Sequence, residues 1–280
     1  MSTIEEQREQ WNAAAPMWRK WSARIDAAAA HISERLVELA EIGPDDRVLD
    51  VGAGQGEPAL AAARCAGAKG KVVATDLSGE MLAYARERAA EAGLDNIEFV
   101  ESDAASLSFP LGTFDAALSR WGIIFEADPE AAAGRIRTFL KPGARMAISS
   151  WGPLERVPMC ALPSRVFTEH VDVPAPAEGT PGPFARTTRE ALASLLESGG
   201  FADVEAEEAE VTFEWESPEQ FTTYVKEMSP RTGRLIAERP QDEQNALWAA
   251  VTDAMRAVAD KSGRVRLSNQ ALLAVGRVPA

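Results

Sequence analysis

The sequence predicts an α/β chain built on a Rossmann-like, doubly wound seven-stranded sheet, mostly parallel with an antiparallel edge strand, with N-terminal and inserted helices forming a lid. Three observations predict it. From residue 47 to 150, short apolar runs alternate with Ala-rich stretches, the pattern of a parallel sheet covered by helices on both faces. A turn with three glycines, "VLDVGAGQGEP" (48–58), follows the first of those runs directly. Two longer runs, 202–215 and 264–278, supply further strands, read as an antiparallel pair at the sheet edge.

The five core strands are "RVLDV" (47–51), "KVVATD" (71–76), "NIEFVES" (96–102), "FDAALS" (114–119) and "RMAISS" (145–150). Each is short and mostly apolar, as a strand buried on both faces should be. The intervals carry helix signals. Pro58 suits the first turn of a helix running to about Cys65, Ser78 caps a helix that ends before Gly93, and "DPE" (128–130) sets a capping Asp before Pro at the first helical position. That last helix turns Ala132, Ile136, Phe139 and Leu140 to one side and stops at "KPG" (141–143).

Outside this core, residues 1–42 read as a helical cap, with Ile25, Ile32, Leu36 and Leu39 on one stripe and Trp11, Trp18 and Trp21 ahead of it. Pro16 is expected to divide the cap into two helices. Residues 43–280 then form the ligand-binding domain. Within it, 151–186 is rich in Pro and Gly and is read as a long loop over a site. A helix follows at 187–199, and 217–262 reads as two or three helices, one turning Leu247, Val251, Met255 and Val258 to one side.

Composition narrows the function. The 280 residues carry 43 acidic against 29 basic side chains, a formal net charge of −14, so a nucleic acid backbone would be repelled. The opening "MSTIEEQREQW" has no apolar signal region and no stretch gives the ~18 apolar residues of a membrane span, so a cytoplasmic chain is expected, as a monomer or homodimer. Cys65 and Cys160 make no CxxC, and His31 and His170 make no HExxH, so no metal is expected.

In an open parallel sheet, ligands bind beyond the carboxyl ends of the strands, which is where the glycine turn falls. Gly52, Gly54 and Gly56 let a ligand approach the main chain. The spacing is G-x-G-x-G, with Asp50 before it and Glu57 after it. Carboxylates there oppose a pyrophosphate and suit a cation. Asp76, 20 residues after Gly56 at the end of the second strand, can accept hydrogen bonds from two ribose hydroxyls. Asp103 after the third strand can accept from an exocyclic adenine amine, with the Ala104 N–H available to a ring nitrogen. Any one of these acids alone reads as a helix or turn cap. Three at consecutive strand ends suit an adenosyl group with a cationic, phosphate-free tail, and S-adenosylmethionine fits that description.

The runs "VLDVGAGQGEPAL", "VVATDLSGEMLAYARERA", "IEFVESDAASLSFP", "FDAALSRWGIIFEADP" and "LKPGARMAISSW" resemble the successive motifs of class I S-adenosylmethionine-dependent methyltransferases. They are most similar to the branch that includes the ubiquinone and menaquinone C-methyltransferases, although "SRWGIIF" differs from the segment usual in the quinone enzymes. The resemblance covers 47–151. It implies that Gly52, Gly54 and Gly56 pack on the methionine part, that Asp76 holds the ribose, and that Leu77 and Met81 flank the adenine, whose edge Asp103 and Ala104 read. It also implies that Ser119 and Arg120 lie beside the methionyl end. Leu77 and Met81 also fit as plain core, and Arg120 as a partner of Glu126 or Asp128.

The expected activity is therefore methyl transfer to a small apolar or aromatic molecule. In-line displacement needs alignment and a dry site more than a base; His170 is the one candidate base, with exposure in solvent as its other reading. The acceptor pocket is expected among the cap, the 151–186 loop and the 217–262 helices, with Trp18, Trp21, Trp121 and Trp151 as candidate stacking surfaces. The alternatives are an NAD-dependent oxidoreductase and a non-catalytic binder of S-adenosylmethionine.

Overall fold

The computed structural model describes residues 4–172 and 180–280. The strands are β1 (Arg47–Val51), β2 (Lys71–Asp76), β3 (Ile97–Glu101), β4 (Phe114–Arg120), β5 (Leu140–Trp151), β6 (Ala202–Trp215) and β7 (Val265–Arg277). The helices are α1 (Ile4–Leu39), α2 (Ala59–Ala66), α3 (Gly79–Glu91), α4 (Pro129–Phe139), α5 (Pro158–His170), α6 (Arg189–Ser198), α7 (Pro218–Met228), α8 (Pro230–Ile236) and α9 (Gln241–Arg256). The seven strands form one sheet in the order β3-β2-β1-β4-β5-β7-β6. Pairing is parallel from β3 to β5, and β7 is antiparallel to both β5 and β6. The strand order reverses beside β1, whose neighbours are β2 and β4, so the tips of these three strands open one crevice.

Alternation along the strands feeds two apolar layers. Val48, Val72, Ala116 and Ala147 join α1, α2, α7 and α9 on one face. Leu49, Val73, Ala117, Met146 and Ile148 join α4 and α6 on the other. Small alanines in the central strands let the helices approach closely. The capping expectations hold: Ser78 accepts from the Met81 N–H, and Asp128 accepts from the Ala131 N–H with Pro129 following it. Pro58 stands at the N-cap position of α2, one residue before the helix begins.

Two expectations are corrected. Pro16 does not divide the cap: α1 runs unbroken for 36 residues. The missing N–H removes one helical hydrogen bond, and burial of Ala15 and Trp21 on either side, with Ile32 and Leu36 further along, holds the helix through it. The 151–186 segment is also not simply a loop, because it contains α5. Met159, Val166 and Phe167 are buried from that helix, and the density of Pro and Gly further along hid their spacing. The rest of the loop reading falls partly on residues 173–179, outside the described residues. Among the described residues, no helix is long and apolar enough to cross a membrane.

Candidate active site

The crevice is organised by Asp76 at the tip of β2. Its Oδ2 accepts from the Gly54 N–H at 2.8 Å and its Oδ1 from the Ser78 N–H at 2.8 Å, tying the glycine turn to the start of α3. Burial pushes its carboxyl up, against the backbone N–H groups of Ser78, Gly54 and Leu77 that hold it down. The turn is closed on the other side by the Gly52 and Ala53 N–H groups, which both donate to the Thr75 carbonyl. Gly52 has φ +72°, and a Cβ there would sit 2.8 Å from Gly122 Cα, so the tips of β1 and β4 meet only because both positions are glycine. Gly54 has φ +51°, and a Cβ there would meet nothing within 4 Å. Its open side is available to a ligand.

Asp50 lies beneath this turn, fully buried, and neither carboxylate oxygen has a hydrogen-bond partner in good geometry. Burial pushes its carboxyl up to about 8, opposed by the Arg120 charge and the Ala59 N–H and reinforced by Glu57 and Asp76. Two more groups of the turn are buried without a partner, Gln55 Nε2 and Glu57 Oε2. Such a concentration of unpaired polar atoms in one place is unusual for a folded core.

Other expected site residues are used differently. Asp103 is half-buried and its Oδ1 accepts from the Ser106 N–H at 2.8 Å, as a turn cap does, and Ala104 is buried. The Ala104 N–H faces Glu126, whose carboxyl is pushed up by burial, against that N–H, and further by the Asp103 and Asp76 charges. Leu77 is half-buried and Met81 buried on the inner side of α3. Ser119 is buried, its hydroxyl donating to the Val51 carbonyl at 2.7 Å and accepting from the Ile123 N–H at 2.8 Å. Arg120 pairs with neither Glu126 nor Asp128. It donates to α1, at the Ala29 carbonyl and the Ser33 hydroxyl, because α1 lies across the tip of β4.

The tryptophans divide. Trp121, with φ +52°, stacks on Trp151 at a centroid separation of 4.5 Å and 15° between planes. Its N–H meets Ser149 Oγ, its Nε1 is buried without a partner, and the Arg120 guanidinium lies 5.5 Å from its ring centre. Trp21 is packed edge-to-face on Tyr224 and donates to Glu227, so it is cap core. Trp18 touches Trp11, which in turn meets Phe125 just beyond β4. Trp11 is thus the ring that reaches from the cap to that strand end. His170 is exposed at the end of α5, its Nδ1 2.8 Å from the Val166 carbonyl of its own helix.

Sequence reading missed the polar residues that α1 and α3 bring to the crevice. Asn12 Oδ1 accepts from the Ser78 hydroxyl at 2.6 Å, Asp26 binds Arg88 at 2.6 Å, and Arg88 also donates to the Gln55 carbonyl at 2.9 Å. Only the continuity of α1 aligns Asn12 and Asp26 with the two ends of α3 and Ser33 with the tip of β4, and the reading that broke the helix at Pro16 removed that signal.

Comparison with known proteins agrees with this geometry. Residues 48–143 match the family described as "Methyltransferase domain". The chain is 34% identical over 113 residues to a ubiquinone/menaquinone biosynthesis C-methyltransferase of Teredinibacter turnerae, covering 40% of this chain and 45% of that protein. It is 35% identical over 119 residues to an aklanonic acid methyltransferase of a Streptomyces species, covering 42% and 54%. The chain spans about half the length of the curated relatives it matches. Among solved structures, the YcgJ protein of Bacillus subtilis shares the fold with a TM-score of 0.59 at 18% identity, over 90% of this chain and 99% of that one. Residues 48–143, from β1 to the start of β5, thus match a methyltransferase domain, and the sheet order and the acid-flanked glycine turn agree with that match.

Proposed function

We propose that this chain transfers a methyl group from S-adenosylmethionine to a small apolar or aromatic acceptor by direct in-line displacement. The observation that carries the reading is the acid-lined glycine turn, open at Gly54 and backed by the unpaired, buried Asp50. The donor set fits the cofactor. Carboxyl groups at Asp50 and Glu57 and an amide donor at Gln55, all with buried atoms lacking partners, suit the ammonium and carboxylate of a methionyl tail, since a cation favours the ionised form of Asp50 and a pyrophosphate would oppose it.

In this reading Gly52, Gly54 and Gly56 hold the methionine part, Asp76 accepts from the ribose hydroxyls, Leu77 and Met81 flank the adenine, and Asp103 and Ala104 read its edge. Glu126 must release the Ala104 N–H for that last contact. Ser119 acts through the backbone position it fixes, and Arg120 holds α1 across the methionyl end. When bound, the cofactor supplies an electrophilic methyl on a positively charged sulfur. The protein aligns the acceptor with it and keeps water out; α1 covers the crevice through Asn12, Asp26 and Ser33. The reading assigns no general base.

A small planar acceptor is supported by the rings near the tips of β4 and β5, namely Trp11, Phe125, Trp121 and Trp151. The names of the quinone-biosynthesis and aklanonic acid relatives also favour small molecules. The test is turnover: the chain is incubated with S-adenosylmethionine and a panel of hydroxylated and carboxylated aromatics, and S-adenosylhomocysteine is measured. Acceptor-dependent release with planar compounds is expected. Release with none of them, in a chain that binds the donor, would leave a binding protein in place of an enzyme.

A further inference from the structure

α1 and α3 meet along matched spacings. Tyr84 and Arg88, one turn apart on α3, face Ser22 and Asp26, one turn apart on α1. The Tyr84 hydroxyl lies 3.0 Å from Ser22 Oγ. Arg88 sends Nη2 to Asp26 Oδ2 at 2.6 Å and Nη1 to the Gln55 carbonyl at 2.9 Å. Its side chain is 15% exposed and that of Asp26 32%, so the pair is sheltered and less screened than a surface bridge.

The two ends of this bridge differ in rigidity. Just beyond Asp26, Ala28, Ala29, Ile32 and Leu36 are buried in the core, so Asp26 stands on an anchored stretch of helix. Gln55 lies in the middle of the glycine turn, between Gly54 and Gly56, where the backbone has the widest choice of conformations. Arg88 therefore passes the rigidity of α1 into the turn.

We propose that Arg88 is a positioning residue for cofactor binding: anchored by Asp26, it fixes the Gln55 peptide and so holds the Gly54 and Gly56 backbone in the conformation that receives the methionyl part of the cofactor, without touching the cofactor itself. The inference rests on the proposed function of the crevice. A turn left to several conformations must be ordered on binding, and that cost appears as lost affinity. A planar guanidinium bridges two acceptors in a way that an ammonium on a flexible stem does not.

The test is calorimetric titration of the full chain with S-adenosylhomocysteine, alongside amide hydrogen exchange of the free protein. Arg88→Met is expected to weaken binding by about tenfold, within the usual range of such couplings, and to speed exchange within 52–56 while β1 and β2 keep their protection. Asp26→Ala is expected to reproduce most of both effects. Asp26→Asn keeps an acceptor for Arg88 and is expected to stay within about threefold of the parent. Parent-like affinity in both Arg88→Met and Asp26→Ala would overturn the proposal. Faster exchange spread through the strands in both variants would overturn it too, since it would make the bridge a general support of the fold. Failure of the unmodified chain to bind S-adenosylhomocysteine would instead remove the proposed function and this inference with it.

Discussion

Arg120, the last residue of β4, donates from Nη1 to Ser33 Oγ of α1 at 2.9 Å and to the Ala29 carbonyl at 3.2 Å. A guanidinium from the strand end thus reaches the middle of the helix that covers the crevice. Ser33→Ala removes one acceptor and is expected to cost about 1 kcal/mol of stability. Arg120→Ala strands the acids around it and is expected to cost about 3 kcal/mol or more. Urea denaturation of both variants measures the difference; equal, negligible losses would mean that α1 is held by its apolar face alone.

That apolar face has its own test. Ile32 is fully buried in the layer between α1 and the sheet. Ile32→Ala is expected to cost about 2–5 kcal/mol, through lost transfer energy and the cavity left behind. A loss under about 1 kcal/mol would show that the cap does not fold with the core.

Asp50 predicts a pH dependence whose sign is fixed by burial. In the folded chain its carboxyl holds a proton up to about pH 8, against a reference near 3.8. Between those values the folded state carries the extra proton, so this contribution to stability is full at low pH and fades as pH rises through about 8. Asp50→Asn removes the ionisation. The variant is expected to gain on the parent by a few kcal/mol between pH 5 and pH 8.5, on the order set by such linkage, and to bind the methyl donor more weakly. A stability gap that does not change with pH would contradict the buried, unpaired carboxyl.

Gly54 separates folding from binding. Its φ of +51° makes a side chain mildly costly, and a Cβ would point into open space. Gly54→Ala is expected to lose about 1–2 kcal/mol of stability and to lose donor binding far beyond that. Thermal melting and titration on one preparation distinguish the two; undiminished binding would place the ligand elsewhere.

Much of this was legible because local rules decide it. The strand runs, the caps at Ser78 and Asp128, and the glycine turn follow from short-range periodicity and backbone chemistry, and all appear where those rules put them. What was not legible depends on long-range packing. Proline penalties argue for a break at Pro16, but burial along α1 outweighs one lost hydrogen bond. Glu126 was read only as a partner for Arg120, whereas the fold turns it to the Ala104 N–H, beside Asp103 and Asp76. Likewise, Trp21 and Trp11 are alike in sequence, and only the docking of α1 sends one into the cap core and the other to the end of β4.

The most direct measurement is calorimetric titration of the chain with S-adenosylmethionine and, separately, with NAD, repeated on Asp76→Ala. The account predicts micromolar binding of the sulfonium nucleoside, none of the dinucleotide, and a loss of a few kcal/mol when the carboxylate proposed to accept from the ribose is removed. Binding of NAD, or affinity for S-adenosylmethionine that survives the loss of Asp76, would contradict it.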